Sequence, residues 1–419
     1  MWKHLCAIGA CLAVSGAVAL SQGGASPAER NAAVVETSTA VLNDMSALRD
    51  LPVLRPVKSG TQSRAVIERM IVRKLDETPP EEIHGSELVL RKLGLVPMDF
   101  QLQPFLLKLL TEQVAGYYDP AVRELYLADW IDVDGQRPVM AHELVHALQD
   151  QHFNLQRFEN WPPGDSDAES AVHALVEGDA SLAMLQYVMK NPSLMAGFLG
   201  AYTSAGSSQI DHAPRVFREQ LLFPYKEGMD WAIQLHRRGG WPALSAAFSK
   251  LPQSTEQILH LEKYDAYEAP VKIALPALGD LLGRGWRRIT DDVDGEYGCY
   301  QTLDQFLNAP TESAAAAAGW GGDQYGVYEG PAPTDVFVAH LPAWDTARDA
   351  REFFDAYAKR TALRYPGATT AGGDANSHVW QTSEGTVTLH LRGSRVLILE
   401  GIPAAATPSA LLARLAGVF

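Results

Sequence analysis

The run Pro138-Val-Met-Ala-His-Glu-Leu-Val-His-Ala-Leu-Gln-Asp150 constrains the fold of this chain more than any other segment. After its leading proline it has no helix breaker. Val139, Met140, Leu144, Val145 and Leu148 give it the apolar body of a helix that runs through a core. The same helix must also house His142, Glu143 and His146, polar groups that are costly to bury without partners. Histidines four positions apart share a helix face, so both imidazoles can reach one ion. Glu143, beside the first, can hydrogen-bond a water on that ion. Two neutral nitrogen ligands, an open coordination position and an adjacent base are what metal-assisted hydrolysis requires.

A second helix-like stretch, Asp167 to Tyr187, supplies the best third ligand. Glu177 sits there among Ala174, Leu175, Val176, Ala180 and Leu182, and a carboxylate on such a face is expensive to bury unless it meets a cation. It follows His146 by 31 positions, enough for a loop and a return helix. The loop is the breaker cluster Trp161-Pro-Pro-Gly-Asp-Ser166, with Ser166 or Asp167 expected to cap the second helix. Glu169 and His173 lie eight and four positions before Glu177, on the same face. Glu169 is thus an alternative third ligand, whereas His173 reads as a helix-face histidine. His152 points off the face shared by His142 and His146. Asp179 and Asp150 are candidates to orient a ligand imidazole, or else solvated carboxylates.

HExxH on one helix and a glutamate on the next resembles the gluzincin branch of zinc metallopeptidases, and Glu177-Gly-Asp-Ala180 resembles the Glu-Gly-x-Ala surroundings of the third ligand there. The resemblance implies Zn2+ held by His142, His146 and Glu177. It also implies peptide-bond hydrolysis by a zinc-activated water with Glu143 as general base. The wider set resembles a group of exported bacterial metallopeptidase-like proteins without assigned substrates. That set comprises the Tyr117-Tyr-Asp-Pro120 turn, the HExxH helix, Glu-Gly-Asp-Ala, and Ser254-Thr-Glu-Gln-Ile-Leu-His260. Two patterns depart from known branches: no His-x-x-Gly-x-x-His follows His146, and Asp179 stands two positions after Glu177 rather than four. His260 or Tyr264 is a candidate to stabilise the oxyanion, with His260 taken as the catalytic candidate. Glu124–Leu127 resembles in position the edge strand that pairs with extended substrate; the alternative is a core hairpin packed by Tyr117 and Tyr126.

Lys3 followed by the mostly apolar run Leu5–Leu20, with Ala17-Val-Ala19 as a small-x-small signature, reads as a secretory signal over 1–21. The run is short for a membrane span. A secreted or periplasmic protein with no integral span after cleavage is therefore expected. Cys6 and Cys11 would leave with the signal, so Cys299 alone remains and no internal disulfide can form. A net charge of −15 argues against nucleic acid or anionic membrane as partner and says nothing about substrate; a peptide or protein substrate is what the resemblance implies.

The expected fold class is α+β: a mainly helical zincin-like metallopeptidase domain with a small sheet, followed by a C-terminal α+β module. Residues 22–80 read as a flexible or propeptide-like segment, with a helix near Arg64–Leu75 and the alternative of a flank to the catalytic domain. Residues 81–270 read as the catalytic domain and 271–419 as linker helices and the C-terminal module. There, strands are predicted at Gln324–Tyr328, Asp335–Leu341, Val379–Thr382, Thr386–Leu391 and Val396–Leu399, with a helix from Asp345 to about Arg364 and a hairpin turn at Gly393–Ser394. His340, His378 and His390 read as solvent-facing strand histidines, with metal binding by two of them as the alternative. The rival functions are a non-catalytic exported binding protein with a structural zinc, and a zinc hydrolase acting on cell-wall amides.

Overall fold

The computed structural model describes residues 10–12, 26–159, 161–195 and 209–419, and the chain has an α+β fold. The segment 1–21, expected to be a secretory signal, lies outside the described residues except for Ala10–Leu12, which forms a short strand, β1.

Residues 26–80, expected to be a flexible or propeptide-like segment, are packed rather than loose. Helix α1 (Pro27–Arg49) is closed at its start by a Ser26/Glu29 capping box. It buries Val34, Val41, Leu42 and Met45 against Met140, Leu144, Val145 and Leu148. These positions repeat at helical spacing, so one stripe of an otherwise small and polar helix carries the contact. Strand β2 (Lys58–Gln62) and helix α2 (Arg64–Asp76) come next, then α3 (Pro80–Lys92) and α4 (Leu102–Gln113), separated by a break at Gly94, which has a positive φ.

A first sheet has the order β1-β3-β4-β2, with β3 at Val114–Asp119 and β4 at Glu124–Ala128. The Asp119 carboxylate accepts from the Ala121 N–H at 2.9 Å and shapes the predicted turn. The edge-strand expectation for Glu124–Leu127 is corrected. Lys58–Gln62 pairs in parallel along β4, leaving it interior, and the Tyr117 and Tyr126 rings pack 5.3 Å apart as in the core-hairpin alternative.

Below this sheet lies α5 (Arg137–Phe153), started by Pro138 and stopped at Asn154 in the left-handed region. Helix α6 (Ser166–Lys190) is capped by Asp165, not by Ser166 or Asp167; the Asp167 carboxylate instead accepts from the Thr255 amide and hydroxyl. Helix α7 (Arg215–Ala247), kinked at Gly239–Gly240, packs along α6.

The C-terminal part is a seven-stranded sheet of order β5-β6-β7-β11-β10-β9-β8 in which every neighbouring pair is antiparallel. Its strands are β5 (Arg287–Asp292), β6 (Trp320–Glu329), β7 (Val336–Trp344), β8 (Thr369–Asp374), β9 (Ser377–Thr382), β10 (Gly385–Arg392) and β11 (Arg395–Ile402). All five predicted strands are present; β5 and β8 are additional. Helix α8 (Gly295–Leu307) leads into it, and α9 (Ala347–Arg364) packs Phe353, Phe354 and Tyr357 on Leu389 and Ile398. Strand β7 is buried throughout and faces two cores. Val336 and Val338 meet Ile71, Leu88 and Leu106 of α2–α4, while Phe337, Ala339 and Leu341 meet Leu397, Leu411 and Leu415. The expected boundary at 270/271 is therefore crossed by a continuous core. No helix of the described residues is long and apolar enough to cross a membrane.

Candidate metal centre

Helices α5 and α6 bring His142, His146 and Glu177 together. Glu177 Oε2 is 2.9 Å from His142 Nε2 and 3.4 Å from His146 Nε2, and the two ring nitrogens are 3.0 Å apart. All three side chains are buried. In a tetrahedral zinc site with bonds of about 2.0–2.1 Å, neighbouring ligand atoms stand about 3.3 Å apart. The observed spacings bracket that value, so the residues fit such an ion. Glu169, the alternative ligand, is buried on the same helix but is not part of the converging group.

The group's electrostatics arise from burial and mutual charge. Burial pushes the Glu177 carboxyl up, but the two imidazoles outweigh it and hold it well below the usual range. Burial also works against protonation of His146, yet Glu177 and Glu143 hold it up at about 9, whereas burial pushes His142 down. A proton on His146 and a divalent cation are thus alternative ways to balance Glu177, and metal binding would release that proton.

Glu177 stands where it does because α6 and α7 touch backbone to backbone. A Cβ on Gly178 would penetrate the Gly228 carbonyl, and one on Gly228 would penetrate the Ala174 carbonyl. Only glycine at both positions permits this crossing. It sets Tyr225 of α7 beside the site, with its ring 6.1 Å from that of His142.

A polar relay fixes the His146 ring. Gln149 Oε1 is 2.8 Å from His146 Nδ1, and the Gln149 amide donates to Asp179 Oδ2 at 2.8 Å and to the Val176 carbonyl. Asp179 in turn accepts from Arg49 Nε at 2.7 Å, with both side chains fully buried. Asp179 therefore orients an imidazole through Gln149 rather than directly. Asp150 orients none: it accepts from the Tyr118 hydroxyl and Arg55.

Glu143 is fully buried next to the ligands, and its Oε2 accepts from the Tyr118 N–H of β3 at 2.8 Å. It is held by a strand and is not one of the three converging residues.

The remaining predicted residues are not among the three that converge, although His173 feels the charges of Glu177 and His146. His260 pairs with Glu296 at 2.8 Å, which raises its pKa, and it is a third exposed. Tyr264 donates to the Lys250 carbonyl. His152 meets the Pro52 carbonyl, and His173 is kept neutral by burial, with its pKa lowered to about 4. Of the strand histidines expected to face solvent, His340 is buried and His378 and His390 are half-buried. His340 is buried against Asp323, His378 stacks on Phe354 and Trp380, and His390 Nε2 is buried. Sequence reasoning misses Tyr225, Gln149 and Arg49. Of these only Gln149 leaves a local trace, three positions after His146 on the same helix.

A model of a domain family of unknown function, DUF8575, matches residues 284–412, which span β5 to β11 with α8 and α9. The His-Glu group lies outside the matched stretch. No curated protein and no solved structure matches the chain.

Proposed function

We propose that the chain is an exported zinc-dependent peptidase, with zinc held by His142, His146 and Glu177 and with Glu143 as general base. The observation that carries this reading is the convergence of two imidazoles and one carboxylate from two helices on a volume the size of one ion, with a further carboxylate beside it. When bound, zinc would supply an acidified water and polarise a carbonyl. Glu143 takes the proton of the attacking water and passes it to the leaving amine; the Tyr118 N–H keeps its carboxylate aimed. Gln149 and Asp179 keep the His146 ring in its ligating tautomer. Tyr225, not His260, is assigned to the charge that develops on the carbonyl oxygen, since it is the ring placed against His142.

A peptide substrate is favoured by the outer edge of β3. Ala10–Leu12 pairs antiparallel there, Ala10 opposite Tyr117, one residue from the amide that holds Glu143. Extended backbone can therefore add beside the base.

Purified protein should carry zinc and cleave an unfolded protein into peptides readable by mass spectrometry. Glu143→Gln should keep the metal and lose about 10²–10⁴-fold in rate. Unchanged hydrolysis in that variant overturns the role of Glu143. Absence of metal overturns the site, and cleavage confined to peptidoglycan fragments overturns the substrate class.

A further inference from the structure

A second group of unlike donors lies in the stretch 284–412, outside the site above. Asp294 precedes α8, Cys299 is on its second turn and His340 is on β7, and their ligating atoms all lie within 4.8 Å of one another. We propose that these residues bind a second divalent ion of the zinc type, which fastens α8 to the sheet.

The hydrogen bonding singles out Asp294. Around it are three buried carboxylates, Asp167, Asp292 and Asp323, each supplied with donors. Asp167 accepts from Thr255, and Asp292 from Ser166 and the Val293 amide. Asp323 accepts from the Asp294 and Gly295 amides, the Trp320 indole and His340. Among the described residues nothing donates to the Asp294 carboxylate. With His340 it lines a cavity of about 50 Å³, to whose wall Cys299 does not contribute. An acid without donors amid buried acids is balanced either by a proton or by a cation, and a thiol and an imidazole within reach supply the other ligands for a cation.

The donor set says which cation. Thiolate, imidazole and carboxylate together select a borderline ion such as Zn2+ over Ca2+ or Mg2+. Asp323 Oδ2 holds His340 Nε2 at 2.7 Å, the carboxylate support that a ligating imidazole commonly has. Closure by about 1 Å would bring donors at the wide end of this spacing to zinc bond lengths. Enclosure between helix and sheet makes the ion a staple rather than a reaction centre.

Cobalt separates the two sites, because only this one contains sulfur. The full chain loaded with Co2+ should bind two ions and show a thiolate-to-cobalt absorption in the near ultraviolet. Cys299→Ser and Asp294→Asn should each bind one ion fewer, Cys299→Ser without the band, while His142→Ala loses one ion and keeps the band. One ion with the band present supports this site and overturns the His142 site; one ion without it does the reverse. A band that persists in Cys299→Ser, or an ion count unchanged in both variants, overturns the proposal.

Discussion

Gly178 and Gly228 meet where α6 crosses α7, with no room at either position for a methyl group. The atoms in the way are backbone carbonyls, which cannot swing aside as a side chain would. Gly178→Ala should therefore separate the helices, cost about 3 kcal/mol or more, and move Glu177 away from the histidines. Denaturant unfolding with metal analysis checks this. A variant of normal stability and normal metal content would show that the crossing does not set the third ligand.

The relay from Arg49 through Asp179 and Gln149 to His146 separates stability from metal affinity. Asp179→Ala leaves Arg49 buried without its carboxylate and should cost about 3–5 kcal/mol. Gln149→Leu spares that ion pair but frees the His146 ring, so metal affinity should fall about 10–100-fold. Chelator competition reads the second effect. Equal affinity in Gln149→Leu and the unaltered protein removes the relay from the account.

Tyr225→Phe keeps the ring against His142 and deletes only the hydroxyl. With metal retained, kcat should fall about 10²-fold and KM change little. A fall confined to KM would assign Tyr225 to substrate binding instead.

Acid should weaken the junction of α9 and the sheet. Glu400 is fully buried, and although burial raises its pKa, Arg360 at 2.5 Å and Arg364 hold it down at about 2, against an ordinary 4.5. A depressed carboxylate stabilises the fold fully above its unfolded value, and that stability disappears as pH falls through its folded value. About 3 kcal/mol should thus be lost between roughly pH 4.5 and 2. Unfolding followed from pH 6 to 2.5 should show the gap between the unaltered protein and Glu400→Gln narrowing with acid. A constant gap rules this linkage out.

The legible parts of this fold are those encoded locally. His142 and His146 are one turn apart, so their convergence needs only a helix. Glu177 is legible because a carboxylate amid Ala174, Leu175 and Ala180 has no cheap alternative to a partner. Strands of the C-terminal sheet show their alternation. Other features depend on distant chain. Helix α1 packs through a thin stripe, Val34 to Met45, that its Ala and Ser content hides, and Lys58-Ser-Gly-Thr-Gln62 has no alternation because pairing with β4 makes it a strand. Tyr225 owes its place to a glycine contact made by residues 50 positions apart, which no local pattern records. His340 reads as exposed in sequence because strand alternation carries no sign that helices cover both faces of β7.

Strand β7, apolar on both sides, gives the matched stretch a need it cannot meet alone. Released from the residues before 284, it would carry Val327, Val336 and Val338 bare to water on the side that α2–α4 now close. Any chain built around the same module must therefore bring its own roof for that slab, from its own sequence or from a neighbour.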